Sequence, residues 1–342
     1  MSNPSLQSSS PPVLQSSNPP TFQSSPSPLF PSSFLRRLES LTLIARQAQR
    51  GQWQGERRSP KRGQSVEFAD YRNYVPGDDF RLVDWNAYAR LERFFLKLFV
   101  EEQDLTMHLL IDTSRSMDWP PETAGQLGHK FTYARRAAAA LGYIALASLD
   151  RVTVSAMGDG MGTSPFLPHR GRQQAFALFD YLTGLATTGP TNLAQSLTQY
   201  ASQARQPGPL LIFSDLLDSS QSSNLPIFQS SNPSTFQPSF ASGLTALLAR
   251  RFEVSLIHLL SPDEVDPPLA GDLRLLDAET GQAVEITADY EALAHYKTGL
   301  TAWQAEIRDW CSRRNIAYVP VTTNVPFEEF IFAFLRQKGI LK

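Results

Sequence analysis

From Leu105 to the C-terminus, short continuous apolar segments alternate with longer segments of helical periodicity, and this alternation constrains the fold more than any other feature of the 342-residue sequence. Continuous apolar runs are typical of parallel strands that are covered on both faces. The predicted strands are 105–111, 152–156, 209–213, 252–260 and 316–321, and the predicted helices are 130–149, 172–185, 193–204, 244–250, 290–313 and 327–337. The sequence therefore predicts an α/β fold with a doubly wound, mostly parallel sheet.

Two segments depart from this alternation. Between Leu273 and Ile286, two short runs flank a Gly-containing turn, which predicts a small β addition at about 262–288. Near the N-terminus, Leu38 and Leu41 belong to a pattern with helical spacing that ends in a loop. We therefore expect an N-terminal helix and loop segment ahead of the sheet.

Composition excludes several classes of protein. The chain is 42% hydrophobic, and its formal net charge of −2 gives no global field that attracts nucleic acid or an anionic membrane. The single Cys311 excludes an intramolecular disulfide, and the five histidines lack zinc-type spacing. The N-terminus lacks the features of a signal peptide, and the longest apolar run, 137–149, is shorter than the roughly 18 residues that cross a bilayer. We expect a cytoplasmic protein without a membrane span or a nucleic-acid partner.

Two tracts rich in Ser, Pro and Gln, 15–25 and 229–239, resemble each other more than their surroundings. Such segments bury too little apolar surface to offset chain entropy. They predict a disordered tail at 1–35 and a disordered insertion at about 219–240. We interpret the repeated Asn-Pro-x-Thr-Phe as part of a neutral insertion, and a linear-motif role is the alternative.

Polar side chains follow two of the predicted strands. Asp112, Ser114 and Ser116 come directly after the first strand at a spacing of two residues, Asp215 follows a second strand, and Thr191 precedes a predicted helix. Taken singly, each is explained as a capping residue of a turn. Taken together, they predict a cation site, because the carboxyl ends of parallel strands meet at one edge of a sheet. Carboxylate and hydroxyl oxygens suit a hard cation such as Mg²⁺ or Mn²⁺.

This set resembles the metal-ion-dependent adhesion site of von Willebrand factor type A domains. The resemblance implies that the ligands and their acidic companions are Asp112, Ser114, Ser116, Thr191 and Asp215. In that family the hydroxyls bind the metal directly or through water, and an acidic group from a partner fills an open coordination position. Thr188 competes with Thr191 for the threonine role, and Asp218 is a candidate to assist Asp215.

A second pattern lies upstream, where aromatic and charged residues interleave: Glu67, Phe68, Tyr71, Arg72, Tyr74, Gly77, Asp78, Asp79, Arg81, Asp84, Trp85 and Arg90. The pattern resembles the signature of the bacterial domain of unknown function 58 family, and the resemblance continues to about 335. It implies a family signature segment at 36–104 and a von Willebrand factor type A-like domain at 105–342. Many members carry membrane helices ahead of this signature, and this chain has none there, which favours a soluble form.

The signature segment also has a physical interpretation of its own. We expect its charged residues to form a paired network beside Trp85 that fixes a loop-rich segment onto the domain; these residues are Asp70, Arg72, Arg81, Asp84 and Arg90. Direct contact with a ligand is the alternative.

Three functions are consistent with the sequence. The first is a non-enzymatic, metal-dependent protein-interaction module. Its implied partner is a MoxR-type AAA+ ATPase, beside which family members are often encoded and with which they are thought to act in chaperone-like assembly or metal insertion. The alternative is an Mg²⁺-dependent hydrolase or phosphotransferase, although the sequence contains neither a P-loop nor a Gly-x-Ser-x-Gly elbow. The third is a structural role without a metal.

Overall fold

The computed structural model describes residues 29–41, 66–101, 105–121, 128–158, 164–217, 237–279, 281–337 and 339–341. Most of the segments predicted to be a disordered tail and a disordered insertion, 1–35 and 219–240, lie outside the described residues.

A six-stranded sheet forms the centre of the molecule. Its strands are β3 (Thr106–Asp112), β4 (Arg151–Met157), β5 (Phe166–Arg170), β6 (Pro209–Ser214), β7 (Glu253–Leu260) and β10 (Ala317–Thr322). Their order is β10-β7-β6-β3-β4-β5, and every pair is parallel except β4 with β5. The predicted α/β class with a mostly parallel sheet is confirmed. The antiparallel edge strand β5 was not predicted, because its sequence Phe-Leu-Pro-His-Arg is short and contains a proline.

Helices cover both faces of this sheet. They are α3 (Lys130–Ala147), α4 (Ala175–Gly184), α5 (Leu193–Gln203), α6 (Ala241–Ala249), α7 (Pro262–Val265), α8 (Tyr290–Ser312), α9 (Phe327–Glu329) and α10 (Leu335–Gln337), and a π-helical turn, Phe330–Phe334, joins the last two. Among the described residues, no helix is long and apolar enough to cross a membrane.

The strands are continuous apolar runs because both of their faces are buried. In β3, Leu109 and Ile111 pack into the cluster that contains α3 and α4, whereas Leu110 packs into the opposite cluster with α5 and α6. Each fully buried Leu or Ile side chain contributes about 1.5–3 kcal/mol relative to an exposed one. The two cores therefore fix the register of β3 and, with it, the position of Asp112 at the end of the strand.

The first described helix, α1 (Ser32–Leu38), belongs to the core and not to a tail. Phe30 and Phe34 are 2% and 4% exposed, and the Phe30 ring stacks on that of Phe327 with 5.7 Å between the ring centroids. The predicted tail boundary at 35 therefore lies too far along the chain, because the sequence pattern gave no weight to two isolated phenylalanines in a polar tract.

The signature segment forms an antiparallel pair, β1 (Val66–Asn73) with β2 (Phe95–Glu101), joined through a 3₁₀ turn and the helix α2 (Trp85–Leu91). Arg72 donates two hydrogen bonds to Asp78, at 2.8 and 2.6 Å. Asp84 accepts a hydrogen bond from the Tyr71 hydroxyl at 2.7 Å and caps α2. The Arg72–Asp78 ion pair and the Tyr71–Asp84 hydrogen bond thus tie this segment together, and Asp78 was not among the residues of the predicted network.

The predicted β addition is present as a hairpin of β8 (Gly271–Leu276) and β9 (Ala283–Ala288). Most residues of both strands are exposed, including Leu276 at 67%. The hairpin connects α7 to α8, and its turn lies near the carboxyl ends of the central strands.

Candidate metal and ligand site

Two neighbouring strands end with polar side chains that contact each other. Ile111 pairs with Phe213 in the parallel register of β3 and β6, so the next residues, Asp112 and Ser214, lie side by side. The Ser214 hydroxyl donates a hydrogen bond to Asp112 Oδ2 at 2.5 Å. Both side chains are fully buried. Ser214 was not among the predicted site residues, although its position at the end of a strand beside Asp215 is a signal that the sequence contained.

The loop after β3 turns its serines back toward Asp112. The Ser114 backbone amide donates to Asp112 Oδ1 at 2.9 Å, and the hydroxyls of Ser114 and Ser116 lie 2.9 Å apart. A 3₁₀ turn, Arg115–Met117, follows, and the buried Met117 anchors it in the core. The predicted Asp-x-Ser-x-Ser spacing therefore gathers one carboxylate and two hydroxyls in a single loop.

Thr191 joins this group from a different part of the chain. Its side chain is 1% exposed, and its hydroxyl donates to Asp112 Oδ1 at 3.3 Å. Thr188 is exposed and contributes its backbone amide, which donates to the Thr113 carbonyl at 2.7 Å. Of the two candidate threonines, Thr191 is the one whose side chain contacts Asp112. Asp218, the suggested companion of Asp215, lies outside the described residues.

Gly158, at the end of β4, makes room for this arrangement. A Cβ atom added at Gly158 would lie 2.7 Å from the Thr113 hydroxyl and 3.6 Å from that of Thr191. The Thr113 hydroxyl is itself bound to the Met157 carbonyl at 3.0 Å. A side chain larger than hydrogen at Gly158 therefore crowds the Thr113 hydroxyl first and the Thr191 hydroxyl next. The close approach of Gly158 to these hydroxyls cannot be recognised from sequence patterns.

Asp215 forms a buried ion pair that was not predicted. Lys130 Nζ lies 2.7 Å from Asp215 Oδ2 and 2.5 Å from Glu264 Oε1, and the lysine side chain has no exposed surface. Burial alone would lower the pKa of Lys130, but the two carboxylates outweigh it and raise the pKa. Lys130 is charged, and it holds Asp215 and the α7 residue Glu264 together.

The Asp112 carboxyl is less well compensated. Burial and the neighbouring charge of Asp215 raise its pKa to about 6, and the hydrogen bonds from Ser214 and Ser114 offset only part of this rise. Two adjacent buried carboxylates resist simultaneous ionisation unless a positive charge lies between them.

A third carboxylate reaches the site from the β8–β9 hairpin. Both carboxylate oxygens of Glu279 are buried, and among the described residues neither has a hydrogen bond of good geometry. Burial, followed by the charges of Asp215 and Asp112, raises the pKa of Glu279 to about 7, and the Ser116 hydroxyl and the Thr191 backbone oppose this rise. Glu279 was not predicted as a site residue, because a glutamate in the turn of a hairpin is ordinarily exposed.

The donors that converge here fit a hard cation. They are carboxylate and hydroxyl oxygens, and neither cysteine nor histidine is among them. Within the described part of the chain, no group of three or more His, Cys, Asp or Glu side chains is arranged to hold a metal ion. A cation at this place would therefore depend on the hydroxyls of Ser114, Ser116 and Thr191 as well as on carboxylates.

Comparison with known proteins identifies the family. The sequence profile described as "Protein of unknown function DUF58" matches residues 70–306, which is more than half of the chain. The chain belongs to the DUF58 family. The resemblance of the signature segment to this family is thereby confirmed, whereas the assignment of a von Willebrand factor type A-like domain with an adhesion-type metal site stays a prediction.

One relative and two solved structures illustrate what the chain is similar to. "Uncharacterized protein Rv1480" from Mycobacterium tuberculosis is 27% identical over 274 residues, which cover 79% of this chain and 78% of the relative. The structure of BatB from Bacteroides thetaiotaomicron is 10% identical with a TM-score of 0.35, and the match covers 69% of this chain and 98% of that one. An aerotolerance-related membrane protein from Bacteroides fragilis has the same identity and coverages and a TM-score of 0.36.

The predicted cytoplasmic location is withdrawn as a correction. The Bacteroides fragilis structure is that of a membrane protein, and a further neighbour from Vibrio fischeri, 14% identical with a TM-score of 0.19 over 68% of this chain and 96% of that one, is a membrane-spanning protein. The cytoplasmic assignment relied on the absence of a signal peptide and of a long apolar run, and neither feature determines a location.

Proposed function

We propose that this DUF58 protein is a non-enzymatic, metal-dependent protein-interaction module of the von Willebrand factor type A kind. In this proposal a divalent cation, Mg²⁺ or Mn²⁺, binds at the edge of the sheet and recruits an acidic group of a protein partner. The ligands and their acidic companions are Asp112, Ser114, Ser116, Thr191 and Asp215. The observation that carries the proposal is the contact of the Thr191 hydroxyl with Asp112 across 79 positions of sequence.

The charge balance of the site supports the same proposal. Among the described residues, Asp112, Asp215, Glu264 and Glu279 bring four carboxyl groups to this region, and the Lys130 ammonium contacts two of them, Asp215 and Glu264; with all four ionised, four negative charges and one positive charge give a formal charge of −3. A divalent cation reduces this imbalance to −1. Since buried carboxylates are costly unless they are paired, binding of a cation stabilises the ionised site.

The contacts also indicate how the chain would hold a cation. Ser214 and the Ser114 amide fix both oxygens of Asp112, so this carboxylate is oriented before any ion binds. The paired hydroxyls of Ser114 and Ser116 retain lone pairs for coordination. A hard cation that few protein carboxylates coordinate directly retains bound water molecules. In this proposal, a carboxylate oxygen of the partner replaces one of these water molecules.

The partner that we propose is a MoxR-type AAA+ ATPase. The basis is the frequent encoding of DUF58 proteins beside such ATPases, and the chemistry required of the partner is an accessible aspartate or glutamate. Chaperone-like assembly or metal insertion is the corresponding process.

Metal binding is tested by calorimetric titration of Mg²⁺ and Mn²⁺ into the purified full chain. Thr191→Val should weaken binding by on the order of 10-fold or more, because it removes a hydroxyl beside Asp112. Thr188→Val is the matched control and should bind as the wild type does, since its side chain is exposed. Failure of the wild-type chain to bind either ion would refute the proposal.

Partner binding is tested by pull-down of a MoxR-type ATPase encoded beside the gene, with and without EDTA. We expect capture by the wild type that EDTA abolishes, and no capture by Asp112→Ala. Binding that persists in Asp112→Ala would exclude a metal-dependent interface. A phosphatase assay on the same wild-type preparation with Mg²⁺ addresses the hydrolase alternative, and turnover lost in Asp112→Ala would favour that alternative over this proposal.

A further inference from the structure

The turn of the β8–β9 hairpin is a defined structure that positions Glu279. The Asp277 amide donates to the Gln282 carbonyl at 2.8 Å, and the Gly281 amide donates to the Asp277 carbonyl at 2.9 Å. The Glu279 amide donates to Asp277 Oδ1 at 2.9 Å. Gly281 has a φ of +72°, a conformation that favours glycine. The turn is thus fixed by its own hydrogen bonds and holds Glu279 in place.

The end of the Glu279 side chain lies in the candidate site. Its carboxylate faces the Ser116 hydroxyl and the Thr191 backbone, and the charges of Asp112 and Asp215 act on it. Both of its oxygens are buried, and among the described residues neither has a hydrogen bond of good geometry; the Ser116 hydroxyl and the Thr191 backbone are the hydrogen-bonding groups that favour its ionised form. A buried carboxylate with such weak hydrogen bonds is unfavourable when it is ionised, so the ionised form of Glu279 needs another source of stabilisation.

The ammonium of Lys130 does not supply this stabilisation. Lys130 contacts Asp215 and Glu264, and these contacts lie between α3 and α7. Glu279 instead approaches beside Ser116 and Thr191, which are hydroxyl residues that the proposed function assigns to a cation. Glu279 therefore shares its neighbours Ser116 and Thr191 with the proposed cation site.

We propose that Glu279 is an intramolecular ligand, which takes the coordination position of a partner's carboxylate and makes the β8–β9 hairpin a displaceable cap on the metal site. This inference rests on the proposed function. The intramolecular ligand adds a regulatory step to that function, because a partner must displace Glu279 before its own acidic residue binds the cation. The strands of the hairpin are largely exposed, so few core contacts oppose such a displacement.

The first experiment compares Glu279→Gln with Glu285→Gln, in the full chain, by Mn²⁺ titration. Glu285 is the matched control, because it is an exposed glutamate on β9 of the same hairpin. We expect Glu279→Gln to weaken Mn²⁺ binding by on the order of 10-fold and Glu285→Gln to leave it unchanged. Hydrogen exchange of residues 271–288 should slow on addition of Mn²⁺ in the wild type and in Glu285→Gln, but not in Glu279→Gln.

The second experiment is chemical rescue of Glu279→Ala with propionate, which stands in for the carboxylate of a partner. Propionate should restore the Mn²⁺ affinity of Glu279→Ala toward that of the wild type, and it should have no effect on the wild type, whose own glutamate holds the position. Asp112→Ala should not be rescued.

The outcomes separate the two proposals. If the wild type binds no Mn²⁺, the proposed function fails and the inference fails with it. If the wild type and Glu279→Gln bind Mn²⁺ equally, with equal protection of the hairpin, the metal site stands and the intramolecular ligand is excluded. If Glu279→Gln binds Mn²⁺ more weakly than the wild type but propionate does not restore Mn²⁺ binding by Glu279→Ala, the displaceable cap is excluded.

Discussion

The ammonium of Lys130 lies 2.7 Å from the carboxylate of Asp215, and neither side chain has any exposed surface. This pair joins the first residue of α3 to the residue that follows β6, so it ties a helix on one face of the sheet to the edge where the candidate site lies. Buried ion pairs contribute little net stability, because desolvation of the two charges cancels much of their attraction. Removal of only one partner of such a pair is nevertheless costly, because the other charge is left buried without compensation.

Replacement Lys130→Met should lower the free energy of unfolding by about 3–5 kcal/mol, because it leaves Asp215 buried without its counter-charge. The double variant Lys130→Met/Asp215→Asn should recover part of this loss, since the stranded charge is removed. Urea unfolding in the presence of EDTA measures both variants without a contribution from bound cation. If Lys130→Met unfolds within about 1 kcal/mol of the wild type, the pair has the energetics of an exposed salt bridge and not of a buried one.

A second prediction concerns the space at Gly158. Replacement Gly158→Ala puts a Cβ atom 2.7 Å from the Thr113 hydroxyl. The resulting overpacking should cost about 1–3 kcal/mol and weaken Mn²⁺ binding, because Thr113 is bonded through its carbonyl to the loop that carries Thr191. Thermal unfolding and calorimetry measure the two effects.

The matched control for this prediction is Gly184→Ala at the end of α4, where an added Cβ atom meets nothing within 4 Å. It should leave metal binding unchanged and stabilise the chain by up to about 0.5–1 kcal/mol, the amount by which alanine exceeds glycine in a helix. Equal metal affinity in Gly158→Ala and Gly184→Ala would show that the close approach at Gly158 does not position the site.

The central sheet and much of the candidate site could be predicted from the sequence, because both depend on local patterns. Continuous apolar runs identify buried strands, and a parallel sheet brings residues that follow those strands to one edge. Asp112 and the serines after it are close in sequence, and the structure gathers them in one loop. The edge strand β5 and the strands of the signature segment were missed, since their residues do not form continuous apolar runs.

The charged partners could not be predicted for a different reason. Lys130 and Glu264 are 134 positions apart, and each has an ordinary local role, at the start of a helix and in a capping box. Glu279 is equally ordinary as a turn residue, and only the path of the whole hairpin brings its carboxylate to Ser116 and Thr191. Contacts between distant charged residues depend on tertiary packing, which periodicity does not encode.

The third prediction concerns acid stability. His108 is 3% exposed, and its Nδ1 lies 2.7 Å from the Tyr200 hydroxyl. Burial lowers the pKa of His108 from 6.5 to about 4. Because the unfolded chain then binds the proton more tightly than the folded chain, acidification favours unfolding. This contribution to stability is fully present above about pH 6.5 and is lost as the pH falls toward 4.

Replacement His108→Gln removes this titration and keeps a polar group beside Tyr200. When the pH falls from about 6.5 to about 4.5, the wild type should therefore lose about 2 kcal/mol more unfolding free energy than His108→Gln loses. Urea unfolding at the two pH values, in EDTA, measures the difference. His295→Gln, a change on the exposed surface of α8, should retain the wild-type dependence. An identical dependence in His108→Gln and the wild type would contradict the shifted titration.

The fourth prediction separates the signature segment from the candidate site. Asp84 is 6% exposed, and its Oδ1 accepts hydrogen bonds from the amides of Asn86 and Ala87, at 2.9 and 3.2 Å. Replacement Asp84→Ala removes this cap and should destabilise α2 by about 1–2 kcal/mol, whereas Asp84→Asn retains a capping side chain and should cost less. Hydrogen exchange of the amides of α2 measures the loss, which should be larger in Asp84→Ala than in Asp84→Asn.

Mn²⁺ affinity should equal that of the wild type in both variants, because the capping contacts of Asp84 lie within the signature segment. A parallel fall in metal affinity would instead join this segment to the function of the site.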